Sequence, residues 1–348
     1  MTEILFMGGF LLLVALLLTL DLGVFHKKDH VISFKEATVW TCVWIGTALL
    51  FCLFIFFKTE WIHGIETMEQ LVAINAQHGH NLALEGLSFE EGIKLYRNAM
   101  SIEYLTGYLV EKSLSIDNIF VMIMIFMAFN VEKIYYHRVL FYGILGAIVL
   151  RFIFIFAAAA LIQKFHWILI LFGLILIFTG VKMFLQRNKK EDVDVKHHPV
   201  VKFLTKYKLA TSQFHNHDFF LKSKETGKWL ATPLFVVLLI VEFSDVIFAF
   251  DSIPAIFSIT QDPYIVFFSN IFAILGLRSL FFMLESVMDK FHYLKIGLAV
   301  LLTFIGVKML LPGLCGVHIE TNTSLLVILG VLIVSIAASL IFPPKAEE

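Results

Sequence analysis

The chain has little charge, few cysteines and no excess of either sign of charge. Charged side chains make up 16% of its 348 residues, whereas a soluble globular domain has about a quarter. The 3 cysteines, Cys42, Cys52 and Cys315, show neither metal-ligand nor disulfide spacing. The net charge of -1 gives no indication of a basic surface for nucleic-acid binding. Alternating segments of about ten residues, the pattern of a membrane β-barrel, are also missing.

Long apolar runs take the place of charge. Hydrophobic residues form 59% of the chain, Phe alone occurs 37 times, and the mean hydropathy is +0.85. Several runs approach the ~20 residues that cross a bilayer as a helix. The N-terminus lacks the basic segment and small-residue cleavage site of a signal peptide. We therefore predict an all-α polytopic membrane protein, a single transmembrane domain over residues 1–348 that begins with a retained helix.

About nine transmembrane helices are predicted. They are Ile4–Val24, Val39–Phe57, Ser101–Phe129, Val139–Ile162, His166–Leu185, Trp229–Phe250, Ile265–Leu284, Tyr293–Leu311 and Ser324–Phe342. The segment 186–228 is rich in lysine, which predicts a cytoplasmic loop. The N-terminus is then outside and the C-terminus cytoplasmic. The acidic loop 58–98 falls outside, in agreement with this orientation.

Short sequence words recur at one offset. KFHWILILFG at Lys164 matches KFHYLKIGLA at Lys290, and GVKMFL at Gly180 matches GVKMLL at Gly306. These matches predict a 3+3 repeat, with residues 101–185 (helices 3–5) as the first unit and residues 229–311 (helices 6–8) as the second. An odd number of helices per unit inverts one unit relative to the other. In transporters with inverted repeats the substrate site lies near the midplane, between the repeats.

Two predicted spans carry acidic side chains, in LVEKSLSIDNIFV from Leu109 and LIVEFSDVIFAFDSIPAIF from Leu239. Each such charge costs a few kcal/mol in a bilayer (about 2.5–3.5 for Asp), so these residues usually face a cavity, a partner or an ion. The candidate metal ligands are Glu111, Asp117, Glu242, Asp245 and Asp251, and possible additional ligands are Asp21, Ser115, Asn118, Ser244 and Ser252. Such oxygen donors suit Mg²⁺, Ca²⁺ or Mn²⁺.

Helix geometry places Glu242 and Asp245 on one face and turns Asp251 away from it. Pro254 predicts a break around residues 251–254, which would re-aim Asp251 and free backbone carbonyls as ligands. Carboxylates at membrane depth take up protons when no metal is bound, and a metal must displace those protons. The pattern therefore predicts exchange of a cation for protons.

A structural interpretation of the same charges remains open. In it Glu111 pairs with Lys112, and the charge partners Arg151 and Arg278 neutralise the aspartates. The excess of acidic over basic residues inside the spans argues against this as the whole explanation. Loop histidines are a further candidate for an accessory metal or pH-sensing site, although loop histidines are commonly solvated. They are His78, His80, His197, His198, His215 and His217.

At these residues the sequence resembles the TerC family, and within it the Alx-like members. The matching words are DLGVFHK at Asp21, EKSLSIDNIFV at Glu111, EFSDVIFAFDSIPAIF at Glu242 and NIFAILGLRSLFF at Asn270. The resemblance covers all nine predicted spans. It implies manganese efflux and an association with tellurium resistance. By position it also implies that the family's acidic metal-site residues fall on Glu111, Asp117, Glu242, Asp245 and Asp251.

We therefore predict a divalent-cation exporter, most of all for Mn²⁺, in the cytoplasmic (inner) membrane of a bacterium. The bilayer, the metal ion and protons are its expected partners, with no nucleic acid, no enzymatic activity and no bound cofactor. The words of intramembrane proteases are absent. Efflux of Ca²⁺ or of divalent cations more broadly is one alternative. A membrane scaffold for a stress-resistance or secretion complex is another. Any tellurite effect is expected to be indirect, because five carboxylates repel an oxyanion.

Overall fold

The structure is a computed structural model that describes residues 2–25, 32–80, 82–165, 167–186, 201–202, 218–222, 229–286, 293–317 and 319–341. Its helices are α1 Thr2–Phe25, α2 Phe34–Lys58, α3 Glu60–His63, α4 Met68–Gln77, α5 Phe89–Ala128, α6 Lys133–Lys164, α7 Ile168–Leu185, α8 Pro233–Phe257, α9 Pro263–Leu275, α10 Leu277–Glu285, α11 Leu294–Cys315 and α12 Thr321–Ile341. Two short strands, β1 Phe220–Lys222 and β2 Trp229–Ala231, pair antiparallel before α8.

Most of these helices have the length and apolarity of membrane spans. In the described part of the chain 7 helices qualify, namely α1, α2, α6, α7, α8, α11 and α12, and the bent pair α9–α10 raises the number to 8. The remaining long helix, α5, takes the place of the predicted third span but carries Glu111, Lys112 and Asp117. The chain is thus an all-α polytopic membrane protein. The number of nine spans and their orientation stay predictions.

Helix α5 begins twelve residues before the predicted start at Ser101. A capping box explains the early start: Glu91 N donates to Ser88 Oγ at 3.4 Å, and Ser88 N donates to Glu91 Oε2 at 3.0 Å. At 40 residues the helix is ~60 Å long, well beyond a bilayer core of about 30 Å. The segment 58–98, predicted as a loop, therefore contains α3, α4 and the first turns of α5.

Helix α8 differs from the predicted sixth span at both ends. Residues 229–231 form β2, and the helix starts only after Thr232, whose Oγ1 accepts a hydrogen bond from Phe235 N at 3.4 Å. The predicted break near Pro254 is wrong, because the helix continues through this proline to Phe257. Proline removes one backbone hydrogen bond. Burial of the whole last turn, residues 252–257, offsets that loss.

The helix break lies instead in the predicted seventh span. Helices α9 and α10 meet at Gly276 with a bend of 43°. A Cβ atom at Gly276 would lie 2.8 Å from Lys112 Nζ and 3.0 Å from Trp44 Cβ. Only glycine therefore lets side chains from α2 and α5 approach this point so closely.

Burial separates central helices from peripheral ones. Half of the membrane-length segment of α8 is buried (50%), against 11% for α1 and 22% for α7 and α12. Every residue of α9 except Tyr264 is buried. Helix α5 packs closely on α9, since a Cβ atom at Gly107 would lie 2.9 Å from Ser269 Oγ. The acidic residues of α5 and α8 therefore lie inside the bundle.

Candidate functional site

Arg151 of α6 is the centre of a buried polar network, here called the Arg151 network. Its Nη1 atom donates to Glu111 Oε1, to Ser252 Oγ at 3.1 Å and to Asn270 Oδ1 at 3.0 Å. Its Nη2 atom donates to Asp245 Oδ1 at 3.3 Å. The side chains of Arg151 and Glu111 are 1% and 0% exposed. One guanidinium thus holds a carboxylate from α5 and another from α8.

Glu111 is fully hydrogen-bonded within this network. Its second oxygen, Oε2, accepts from Asn270 Nδ2 at 3.1 Å. Buried charges are tolerated where a partner and hydrogen bonds replace water, and the planar guanidinium suits carboxylates best. Two carboxylates nevertheless face one guanidinium, so the network retains one excess negative charge unless a proton or another cation joins it.

Asp245 carries that excess at a defined atom. Its Oδ2 is buried and has no hydrogen-bond partner. The side chain borders a cavity of about 10 Å³ that Ser115 and Asn118 also line. That volume is close to the lower limit for one water molecule. Arg151 and several apolar side chains line the cavity too, so a carboxylate, a hydroxyl, an amide and a guanidinium border space for a single small ligand.

Asp251 lies in a different cavity. Its Oδ1 accepts from Thr179 Oγ1 at 2.9 Å. The cavity has a volume of about 180 Å³, and Lys182 and Lys295 line it together with Asp251. Asn118 lines both cavities, which are therefore neighbours. The larger cavity contains ammonium groups as well as a carboxylate and is not a purely acidic pocket.

The other predicted ligands are dispersed. Glu242 is half-buried one turn before Asp245 and lies against α6, where a Cβ atom at Gly146 would be 2.0 Å from Glu242 Oε1. Ser244 Oγ donates to the backbone of its own helix, at Ile240 O. The side chain of Asp117 lies outside the described part of the structure. Of the five predicted carboxylates, the structure brings Glu111 and Asp245 into one network and places Asp251 and Glu242 elsewhere.

Lys112 is bonded to a different partner from the one the structural interpretation expects. Its Nζ donates to Ala273 O at 3.2 Å, in the last turn of α9 before the break at Gly276. The last carbonyls of a helix lack partners within the helix, and a cation there also meets the negative end of its dipole. Lys112 thus binds at the broken end of α9 and does not pair with Glu111.

Asp21 and Arg278 form a separate buried pair. Arg278 Nη2 lies 2.8 Å from Asp21 Oδ2 and donates to Asp21 O at 2.8 Å. The side chain of Arg278 is 1% exposed and that of Asp21 is 4% exposed. Arg278 therefore does pair with an aspartate, as the structural interpretation expects, and that aspartate is Asp21. The pair joins α1 to α10.

Two polar residues that complete these contacts, Asn270 and Thr179, are absent from the sequence-based candidates, and Lys112 is among them with a different partner. Asn270 and Thr179 were not weighed as ligands, although each is a polar residue inside an apolar run. That signal was present for Asn270 in NIFAILGLRSLFF. The role of Lys112 depends on where α9 ends, and the residues next to Lys112 in the sequence do not show where that helix ends.

A second polar cluster, here called the histidine cluster, lies outside the apolar spans and consists of His63, His78, His80, Glu103 and Asp262. His63 Nε2 lies 2.9 Å from Asp262 Oδ2, and His63 Nδ1 lies 2.9 Å from Glu3 Oε1. Burial acts to lower the pKa of His63, but the carboxylates of Asp262 and Glu3 together outweigh it and raise the pKa to about 9. The predicted candidates His197, His198, His215 and His217 lie outside the described residues.

The fold and the Arg151 network define a class, that of helical membrane proteins with ionisable groups buried between their spans. Residues 96–347 match the family described as integral membrane protein TerC. The chain therefore belongs to the TerC family. The family resemblance of the sequence is confirmed.

Curated relatives match nearly the whole chain. A protein of Myxococcus xanthus named uncharacterized membrane protein STKORF319 is 45% identical over 334 residues, 96% of this chain and 91% of the relative. The putative membrane-bound redox modulators Alx of Photorhabdus laumondii and Escherichia coli K12 are 43% and 42% identical over 329 residues, each covering 94% of this chain and 92% of the relative. No solved structure shows a significant match.

Proposed function

We propose that this protein exports a divalent metal cation, Mn²⁺ first of all, in exchange for protons. The observation that carries the proposal is Asp245 Oδ2, a buried carboxylate oxygen without a partner at a cavity that Ser115, Asn118 and Arg151 also line. The carboxylate, hydroxyl and amide oxygens are donors of the kind that hard divalent cations select. Ca²⁺ or a broader range of divalent cations fits the same donors.

Charge balance supports proton exchange. Glu111 and Asp245 together carry two negative charges against the one positive charge of Arg151. One bound proton neutralises that set. A divalent cation bound by both carboxylates, with Arg151 displaced, neutralises the carboxylates equally well. Because a buried charge without compensation is costly, the site favours one of these two states over an uncompensated one.

Contacts between α7 and α11 support the inverted repeat. A Cβ atom at Gly306 would lie 2.7 Å from Gly173 O, and one at Gly180 would lie 2.7 Å from Ala299 O. The offset of 126 residues that relates Gly180 to Gly306 also relates Gly173 to Ala299. The offset therefore exchanges the two contacts, as a two-fold relation between units requires. Of the word at Lys290, the first three residues, 290–292, lie outside the described residues.

The direct test is Mn²⁺ flux in proteoliposomes with an imposed pH gradient. We expect gradient-dependent flux in the wild type, its loss in Asp245→Asn, and normal flux in Glu132→Gln, which removes an exposed carboxylate. Asparagine keeps the size of Asp245 and removes its charge. Flux that ignores the pH gradient would contradict proton exchange, and equal flux in Asp245→Asn would contradict the site.

A scaffold function is the second candidate, because Arg151 and Arg278 are both paired with carboxylates in the bundle. Correctly folded protein that moves neither Mn²⁺ nor Ca²⁺ nor Mg²⁺ would favour it. The Alx relatives are named redox modulators, and the three cysteines of this chain, Cys42, Cys52 and Cys315, are free thiols.

A further inference from the structure

The histidine cluster gathers donors from distant parts of the chain. His63 comes from α3, His78 and His80 from the segment between α4 and α5, Glu103 from α5, and Asp262 from the N-cap of α9. His63 and Asp262 are in contact although 199 residues apart in sequence, and both side chains are 0% exposed. The fold therefore builds a buried group of imidazole and carboxylate donors outside the Arg151 network.

His78 is the member of the cluster that is buried without any hydrogen bond from its ring. The residue is 3% exposed, and both of its ring nitrogens are buried without a hydrogen-bond partner. Leaving a buried polar group unsatisfied costs about 1–3 kcal/mol. A protein retains such a group where a ligand completes it or where function requires it.

The unpartnered ring points at a position that an ion would fit. One nitrogen of His78, one of His63 and one carboxylate oxygen of Asp262 all lie within 4.8 Å of one another. A tetrahedral ion with bonds of about 2.0–2.1 Å holds its ligands about 3.3 Å apart. The His63–Asp262 pair, at 2.9 Å, must therefore open slightly while the widest separation in the group contracts. His80 is adjacent, with its ring centroid 6.0 Å from that of His78 and its Nε2 also unpartnered.

We propose that His63, His78 and Asp262 bind one divalent transition-metal ion, with His80 or Glu103 completing the coordination. Mixed imidazole and carboxylate donors favour Zn²⁺ over Mn²⁺, in contrast to the oxygen donors around Asp245. On binding, His63 exchanges its hydrogen bond to Asp262 for a bond to the metal, as ligands release protons. The proposal does not depend on transport.

The position of the site gives the bound metal a structural consequence. Glu103 and Glu111 are eight residues apart on α5, and Asp262 and Asn270 are eight residues apart along α9. Eight residues of helix span ~12 Å. With Glu103 as the fourth ligand, a metal would join the two helices that deliver Glu111 and Asn270 to Arg151. The two clusters are ~12 Å apart along each helix.

Calorimetric titration of Zn²⁺ into the purified, detergent-solubilised full chain tests the site, with Co²⁺ absorption as a probe of nitrogen coordination. We expect one tight equivalent in the wild type and at least tenfold weaker binding in His78→Gln. Asp262→Asn is the second variant, because asparagine caps a helix as well as aspartate does. Glu132→Gln, which removes an exposed carboxylate, and the pair His197→Gln, His198→Gln should bind Zn²⁺ as the wild type does.

Three results would overturn the proposal. One is a wild type that binds no Zn²⁺ above background. Another is unchanged affinity in both His78→Gln and Asp262→Asn. The third is loss of the tight equivalent in the His197, His198 pair, which would assign the metal to that segment.

Discussion

The Arg151 network and the histidine cluster both use residues of α5 and of α9 or its N-cap, yet their polar groups are satisfied to different extents. In the Arg151 network and at the nearby break in α9, cations of the chain itself occupy the acceptors: Arg151 bonds Glu111 and Asp245, and Lys112 bonds Ala273 O. In the histidine cluster both nitrogens of His78 are left without partners. In the first region most polar atoms are bonded within the chain, with Asp245 Oδ2 and Arg151 Nε left open, whereas in the second a whole buried imidazole has no partner.

This difference bears on how each region binds a cation. A cation entering the Arg151 network must displace a guanidinium held by several hydrogen bonds, so binding there requires a rearrangement. A cation entering the histidine cluster meets donors that already lie within 4.8 Å of one another. Rearrangement suits a transported ion, which must be released, whereas preformed donors suit an ion that stays.

Removal of Arg151 should give the largest effect on stability. Arg151→Met leaves Glu111 and Asp245 buried without a cation, and breaking such a buried pair costs about 3–5 kcal/mol. The measurement is the free energy of unfolding in detergent by denaturant titration. Arg97→Met is the control, since its pair with Glu60 is partly exposed and worth about 0–1 kcal/mol.

A rescue experiment strengthens this prediction. Adding Glu111→Gln and Asp245→Asn to Arg151→Met removes the unpaired charges and should restore most of the lost stability. A loss in Arg151→Met no greater than in Arg97→Met would mean that Glu111 and Asp245 do not depend on Arg151 for charge compensation.

Removal of Lys112 should have a smaller effect on stability. Lys112→Met deprives Ala273 O of its partner at the end of α9, and an unsatisfied buried group costs about 1–3 kcal/mol. The exposed Lys94 lies on the same helix and provides the matched control Lys94→Met. Equal unfolding free energies for the two variants would contradict a role for Lys112 at the break.

Asp251→Asn should separate stability from transport. Thr179 can donate to an asparagine oxygen as it does to Asp251 Oδ1, so we expect a stability change within about 1 kcal/mol. Under the proposed function, Mn²⁺ flux in proteoliposomes should nevertheless disappear, with Glu132→Gln unaffected. Normal flux in Asp251→Asn would remove the larger cavity from the transport path.

The sequence predicts the apolar helices well, because hydropathy and length suffice to identify a span. It also identifies Glu111 and Asp245, since a carboxylate in an apolar run is conspicuous. The position of the helix break is less accessible. Pro254 is the strong local signal, but burial of the turn around it keeps α8 intact. The break occurs at Gly276, where Trp44 and Lys112 from other helices approach.

The histidine cluster marks the other limit of sequence reasoning. His78 and His80 are two residues apart and can be noticed as a pair, but nothing local connects them to Asp262. That contact exists because α9 begins beside α3, and this is a property of the packed bundle. Asp262 itself reads from sequence as an ordinary helix N-cap, a role it also has through Tyr264 N at 2.9 Å.

A change in stability of opposite sign, and the sharpest contrast with Arg151, should come from His78→Phe. Phenylalanine has a similar shape and removes two buried nitrogens that no hydrogen bond satisfies. Metal-free His78→Phe should therefore be as stable as the wild type or more stable, by up to about 1–3 kcal/mol. At 100 times the dissociation constant, Zn²⁺ should stabilise the wild type by about 2.7 kcal/mol and leave the variant unchanged. Unfolding titrations with and without Zn²⁺ measure both quantities. Destabilisation of metal-free His78→Phe, with Zn²⁺ stabilisation retained, would show that His78 has a packing role and is not a metal ligand.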